Sequence, residues 1–376
     1  MQYSTFGNTG VKVSKLGFGA MRLPMHQVDG KSMVNDELAI PLMRRAFDLG
    51  VNYIDSAPYY NDKQSEIAVG KAIKGYRDKV YITTKNPIEN DSGADWTKRL
   101  ESSLKQMDTD YIDFYHFWGI GRKGFRHWET LTDGPLQAAQ KALDEGLIKF
   151  LSFSYHDSAE NLRYIADSGR FSSCLIQYNL LDRSNEENLA YMKEKGMGVV
   201  VMGSVAGGRL GAPSEVIRGL LKDKPASTAE MALRFVLANE NVNVCLSGME
   251  NIAMLEENVK IASKTGHLTA DELTQVKSMM EENKKLAELY CTACDYCKPC
   301  PANINIPHLF GMMNTHKVYG LTEHAKKAYA EMMRGEGWTK SADAAQCTEC
   351  GECEKKCPQK LPVMAQLKET HEILAS

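Results

Sequence analysis

Short apolar, β-rich runs alternating with longer amphipathic helical runs predict a (β/α)8 TIM barrel, and a cysteine-rich tail predicts a second, metal-bearing domain. Three observations carry this reading. Eight strand-then-helix units follow one another within about 250 residues, the usual size of such a barrel. Helical runs stop at Gly50, Gly75, Gly146 and Gly196, and glycine is the residue that closes a helix most readily. Eight of the ten cysteines lie between Cys291 and Cys357.

The elements follow in order. Tyr3–Val13 reads as a small hairpin turning at Gly7-Asn8-Thr9-Gly10 and covering the barrel floor. Lys15–Ala20 is the first strand and Asp36–Leu49 the helix behind it. Asn52–Asp55 and Ser65–Lys74 form the second unit, Val80–Thr84 and Asp95–Met107 the third, Tyr111–Trp118 and Leu136–Glu145 the fourth. Ile148–Ser154 with Ala159–Asp167, Ser173–Gln177 with Asn185–Lys195, Gly198–Met202 with Thr228–Ala238 and Val242–Leu246 with Ile252–Ile261 complete eight. Short loops between alternating strands and helices demand parallel strands with right-handed crossovers, and eight such strands close on themselves. An open doubly wound sheet would want a Gly-x-Gly-x-x-Gly turn early in the chain, and Gly17-Phe18-Gly19-Ala20 does not continue that way.

Composition bounds the function. The 376 residues are 43% hydrophobic and 25% charged, and 45 basic against 48 acidic residues leave a net charge of −3. That balance argues against a nucleic-acid binder, which needs a basic excess. No apolar run approaches the roughly 18 residues of a membrane helix, and the start carries no basic-then-apolar leader, so a cytoplasmic chain is expected. Length and cysteine distribution divide it into a barrel over 1–285 and a tail over 286–376. Cys174 and Cys245 stand in apolar runs and read as small buried thiols.

Chemistry in such a barrel sits at the C-terminal ends of the strands. The second strand ends in Asp55-Ser56-Ala57-Pro58-Tyr59-Tyr60, and the third ends at Lys85. A carboxylate that holds an ammonium beside a phenol is a device for proton transfer, because the cation favours the phenolate and eases donation near neutral pH. The competing reading is a surface ion pair beside an aromatic ring.

These residues resemble a known family. Phe6-Gly7-Asn8-Thr9-Gly10-Val11-Lys12-Val13-Ser14-Lys15-Leu16-Gly17-Phe18-Gly19 is similar to the amino-terminal signature of the aldo/keto reductases, as are Asp55–Tyr60 and Ser65-Glu66-Ile67-Ala68-Val69-Gly70. The resemblance runs over nearly all of residues 2–262. It implies a barrel that binds an extended nicotinamide dinucleotide, with Asp55, Tyr60 and Lys85 as three members of a catalytic tetrad. The fourth departs: Trp118 stands where the family carries histidine. His116, two residues earlier, would lie on the same strand face roughly 6.6 Å deeper, as a hydrogen-bonded filler of the barrel. The resemblance further implies that Ser154 and Gln177 hold the nicotinamide amide. Met202 takes the place of a stacking tyrosine, and Gly203, Gly207 and Gly208 lie in the loop that wraps the pyrophosphate. Gly248, Glu257 and Asn258 fall at the adenosine end. Gly248 and Met254 stand where members selective for the phosphorylated dinucleotide carry Lys and Arg, and Glu250 is nearby, so NAD(H) is expected over NADP(H).

The tail carries Cys291-x₂-Cys294-x₂-Cys297-x₂-Cys300-Pro and then Cys347-x₂-Cys350-x₂-Cys353-x₃-Cys357-Pro. The second run has the spacing of bacterial ferredoxins, and the first is one residue shorter before its last cysteine. Zinc is the competing metal, yet three evenly spaced cysteines followed by Cys-Pro, twice over, suit it badly. Two [4Fe–4S] clusters are expected, with Cys291, Cys294, Cys297 and Cys357 on one and Cys347, Cys350, Cys353 and Cys300 on the other. Helices at Ile306–His316 and His324–Arg334 make the tail a helical two-cluster ferredoxin-like domain. A barrel with such a tail resembles the ferredoxin-bearing aldo/keto reductases of anaerobic microbes.

The function expected is an NAD(P)-linked oxidoreductase acting on a small carbonyl or hydroxyl compound. The alternative is an iron–sulfur electron-transfer protein whose barrel no longer reduces simple carbonyls. Nicotinamides move a hydride and each cluster a single electron, which leaves the clusters a structural role or calls for a flavin or redox-protein partner. The substrate-selecting loops Asn86–Asp95 and Gly119–Asp133 name no substrate.

Overall fold

The computed structural model describes residues 1–288, 291, 295–336, 339–357 and 360–376. Its strands are β1 (Tyr3–Thr5), β2 (Lys12–Ser14), β3 (Leu16–Gly19), β4 (Met25–Val28), β5 (Lys31–Val34) and β6 (Tyr53–Asp55). They continue as β7 (Tyr81–Pro87), β8 (Ile112–Trp118), β9 (Ile148–Tyr155), β10 (Ser173–Gln177), β11 (Gly198–Met202) and β12 (Val244–Ser247). Strands β3 and β6 to β12 run parallel and close into an eight-stranded barrel, β12 pairing back to β3. The expected barrel is therefore the observed one.

Inside it, alternate strands supply one packed layer: Tyr53 of β6, Phe114 of β8, Leu175 of β10 and Leu246 of β12. Phe6 plugs this layer from the floor, its ring meeting Phe114 edge-on at 4.9 Å. Gly198 makes the plug possible, because a Cβ there would lie 2.5 Å from the Phe6 ring. The hairpin β1–β2 carries Phe6 in its connection, as its placement under the barrel requires.

The outer helices form where apolar residues recur at helical spacing. Gly93–Met107 is capped by Ser92, whose hydroxyl accepts from the Asp95 amide at 3.2 Å, and it buries Trp96, Leu100, Ser103 and Met107 along one face. Several elements stand outside the sequence reading, two of them among the barrel's connections. A second hairpin, β4–β5, turns at Asp29-Gly30, both with positive φ. A helix at Arg122–Trp128 occupies part of the segment expected to be loop, and buries Phe125 and Trp128.

The chain groups into two compact units, Met1–Ala206 with Leu233–His267, and Gly207–Ala232 with Leu268–Ser376. In the second unit, helices Ile306–Lys317, Thr322–Met333 and Val363–Leu374 surround a core that includes Leu309, Phe310, Tyr329 and Leu367. Cys291, Cys297, Cys300, Cys347 and Cys353 pack against that core. The segment 207–232 is tied into the same unit: Ser214 Oγ donates to the Tyr319 carbonyl at 2.5 Å. Among the described residues, no helix is long and apolar enough to cross a membrane.

Candidate active site

Strand register sets the depth of each group at the barrel mouth. Asp55 ends β6 opposite Gly19 and Thr83, while Lys85 of β7 lies opposite His116 of β8. Trp118, the last residue of β8, is level with Pro87. Asp55 is 4% exposed and Lys85 2%. The ammonium donates to Asp55 Oδ2 and to the Ser56 carbonyl, each at 2.6 Å, while Thr83 Oγ1 donates to Asp55 Oδ1 at 2.8 Å. Burial alone would push the Lys85 ammonium to lose its proton, but Asp55 and Tyr60 outweigh that and hold its pKa above the ordinary value.

Tyr60 follows in the turn after β6. The Lys85 Nζ lies 4.7 Å from its ring centroid, and the Trp118 indole meets its edge at 5.9 Å. Tyr59 also packs on Trp118, with ring centroids 5.5 Å apart. The four catalytic candidates, Asp55, Tyr60, Lys85 and Trp118, thus form one connected group.

His116 is fully buried with its Nε2 3.9 Å from Asp55 Oδ1. It fills the barrel as expected, but neither ring nitrogen has a hydrogen-bond partner. Burial first, and then the Lys85 ammonium, hold its pKa well below the usual histidine range. Sequence reasoning passed over Glu66, which is 1% exposed and accepts from Thr84 Oγ1 at 2.6 Å. Burial raises its pKa despite the Thr84 and Ser103 hydroxyls and the Lys85 charge. It stands inside the quoted Ser65–Gly70 stretch, where a glutamate just inside a helix start looks like any helix-end acid. His156, after β9, also feels the Lys85 charge.

The cofactor candidates are spread along the following strands. Ser154 of β9 accepts from the Gly119 amide at 2.8 Å, which leaves its own hydroxyl proton to donate. Gln177 and Met202 are register partners on β10 and β11, both half-buried, and Gln177 Nε2 donates to Asp182 at 2.7 Å. Gly203 has φ +67°. Gly207 and Gly208, at φ +68° and +97°, belong to the second unit and bend a short helical segment in a way only glycine adopts without strain. Asn258 is buried and donates to Ser247 Oγ at 3.1 Å, whereas Glu257 is exposed. A Cβ on Gly248 would lie 3.3 Å from Arg22 Cδ, so the Arg22 stem runs alongside this glycine. That neighbour comes from the segment after β3, far off in sequence, and no local pattern announces it.

The cysteines divide by environment. Cys174 and Cys245 are fully buried in the barrel wall, and burial pushes the Cys245 thiol up to about 12 and the Cys174 thiol well above its ordinary value. Cys297, Cys300, Cys347, Cys350 and Cys353 instead line one cavity, walled by Pro299, Pro301, Ile306, Met364 and Leu367. Thiols in apolar walls suit an iron–sulfur cluster, whose inorganic sulfides need little water. Cys294 lies outside the described residues, and Cys291 and Cys357 are half-buried.

Comparison with known proteins agrees with this architecture. Residues 15–281 match the family model "Aldo/keto reductase family", and residues 290–361 match "4Fe-4S dicluster domain". L-galactose dehydrogenase of Arabidopsis thaliana is 29% identical over 315 residues, covering 76% of this chain and 96% of its own. An aldo-keto reductase from Bacillus halodurans in its holo form superposes with a TM-score of 0.63 at 29% identity, covering 74% of this chain and 96% of its own. A thermostable aldo-keto reductase, Tm1743, crystallised with the inhibitor epalrestat, gives a TM-score of 0.62 at 25% identity over 74% of this chain and 99% of its own. With the barrel, its mouth and the cysteine cavity in place, the chain belongs to the aldo/keto reductase family and is an oxidoreductase whose barrel is followed in sequence by a 4Fe-4S dicluster-type domain.

Proposed function

We propose that this chain is a nicotinamide-linked oxidoreductase that acts on a small carbonyl or hydroxyl compound at the barrel mouth. Tyr60 gives and takes the proton, Lys85 tunes it and Asp55 holds the lysine. The observation that carries this reading is the buried Lys85 ammonium, bonded to Asp55 and 4.7 Å from the Tyr60 ring centroid. A buried ion pair contributes little to stability on balance, so its place beside a phenol at a strand end favours a chemical role. The nicotinamide, when bound, supplies or accepts the hydride. Ser154 and Gln177 are the residues that would hold its amide, with Met202 beside the ring, Gly203, Gly207 and Gly208 at the pyrophosphate, and Gly248, Glu257 and Asn258 at the adenosine end. Trp118 offers one N–H donor to a carbonyl oxygen and a face on which a ring can stack. NAD(H) is favoured over NADP(H) by exposed Met254 and Glu250 at the adenosine end; Arg22→Ala should leave NADH binding ahead of NADPH binding.

The test is the cofactor-linked rate on a panel of aldehydes and ketones. Tyr60→Phe should lower it by two orders of magnitude or more, the usual worth of a positioned proton donor. Trp118→His should raise the rate on simple ketones or leave it unchanged. Full activity in Tyr60→Phe, or selective loss of turnover in a well-folded His116→Ala, overturns these roles.

In the tail, two [4Fe–4S] clusters are proposed with interleaved ligands, Cys291, Cys294, Cys297 and Cys357 on one and Cys347, Cys350, Cys353 and Cys300 on the other. Cys300 lines one cavity with Cys347, Cys350 and Cys353 of the second set, and Cys297 of the first set lines it too. A second functional reading, electron transfer by a barrel that has given up carbonyl reduction, is favoured by Trp118 in place of a histidine. Quenching of NADH fluorescence with no turnover on the whole panel would favour it over the first. A flavin or a redox protein is the partner that either reading invites.

A further inference from the structure

The second unit holds a cavity of about 700 Å³ that neither the barrel mouth nor the cysteine cavity accounts for. Its volume lies within the usual range for small-molecule sites. Arg209, Lys298, His308 and His324 line it, with Asp295 and Glu331 as the acids. Pro307, Met312 and Met332 give it an apolar side. Lys298 is paired with Asp295 at 2.9 Å and lies between Cys297 and Cys300 in the chain.

Each of the two imidazoles has a cation for a neighbour, although Asp295 and Glu331 offset part of that charge. His308 lies near Lys298, and His324 near Arg209 and Lys327, with Glu331 opposing. Burial first, and then these cations, hold both imidazole pKa values below the ordinary range. An anion placed among them would reverse the second cause and let both rings take up protons. An apolar wall beside such a cluster suits a flat ring system that carries a phosphate.

We propose that this cavity binds a planar aromatic monophosphate of the flavin mononucleotide class, with the phosphate towards Arg209, His308 and His324 and the ring against Met312 and Met332. Among such ligands the flavin is favoured because it alone joins hydride chemistry to one-electron carriers, the two kinds of chemistry that this barrel and tail combine. The choice of a flavin rests on the proposed nicotinamide and cluster chemistry, whereas the phosphate-and-ring site itself concerns the second unit only, so binding of flavin mononucleotide is read apart from carbonyl turnover.

The experiment is calorimetric titration of the full chain, reconstituted with iron and sulfide without oxygen, using flavin mononucleotide, riboflavin, adenosine monophosphate and inorganic phosphate as separate probes. Flavin mononucleotide should bind one per chain with micromolar affinity, at least tenfold tighter than riboflavin or adenosine monophosphate. It should bind more tightly at pH 6 than at pH 8, with net proton uptake. His308→Ala with His324→Ala should weaken it at least tenfold, and Ala328→Trp, which narrows the cavity beside Met332, should weaken it likewise with the melting temperature kept. Absence of binding, equal affinity for riboflavin or adenosine monophosphate, or binding untouched by Ala328→Trp would each overturn the proposal.

Discussion

His116 shows how a single buried ring sets the acid tolerance of this barrel. It is fully buried, faces Asp55 at 3.9 Å without a hydrogen bond, and is held neutral by burial and by Lys85. In the unfolded chain the same ring takes a proton below about pH 6.5, whereas the folded one does not. The unfolded state then binds more protons, so stability falls on acidification, with a slope that rises towards about 1.4 kcal/mol per pH unit well below that pH. Above that pH both states are neutral and the contribution vanishes. His116→Leu, similar in bulk and unable to titrate, should therefore lose about 1 kcal/mol less than the parent between pH 6.5 and 5.5, read from denaturant midpoints at each pH. Equal losses in the two proteins would mean that the folded ring charges after all, with Asp55 as its counter-ion. The sequence placed His116 on the right strand face, because alternation along a strand is regular. Its lack of a partner was not legible, since that depends on what β6 and β9 happen to present.

At the level of elements, strand-and-helix alternation located every barrel strand, because each is an apolar run bounded by turn residues. The ends shifted by one to three residues: β7 extends to Pro87, and β12 starts at Val244. What escaped had a weaker or misread signal. The β4–β5 turn is an Asp-Gly pair, a good hairpin signature, but its strands are short and largely exposed. Helix Ala270–Glu288 begins with a capping box, Thr269 and Glu272 bonding each other's amides at 2.8 and 3.2 Å. The two cysteine runs are elements of another kind, defined by spacing alone. Protein purified without oxygen should carry about eight irons, four per cluster. Cys350→Ser should lower this to about four, and Cys300→Ser should remove the same spectroscopic signal as Cys350→Ser, since both belong to one set. Cys174→Ser, in the barrel wall, should keep all eight. A colourless preparation holding only zinc would refute the clusters, and loss of a different signal in Cys300→Ser would refute the interleaving.

For the whole molecule, the division of the chain matters more than its length suggests. A cut at residue 285 looks like a clean boundary in the sequence, because composition changes there. Yet Gly207–Ala232 groups with the tail, through contacts such as Ser214 to Tyr319 and the approach of Val216 to Gly320. A chain of residues 1–285 would leave this segment without those partners, and a composition shift cannot reveal a segment that leaves and returns. The truncated protein should melt at least about 5 °C below the parent, a drop of one or two kcal/mol for a domain this large. Unchanged melting would show that the tail is detachable.

The chain passes between its two units three times, after Ala206, Ala232 and His267. A gene that acquired its cysteine tail by simple end-to-end fusion would need only one passage. Here the seam is stitched, so exchanging tails between relatives by recombination at one crossover point should yield mismatched hybrids unless residues 207–232 travel too. By the same topology, a protease nick in any one passage should leave both fragments held together, to be separated only by denaturation.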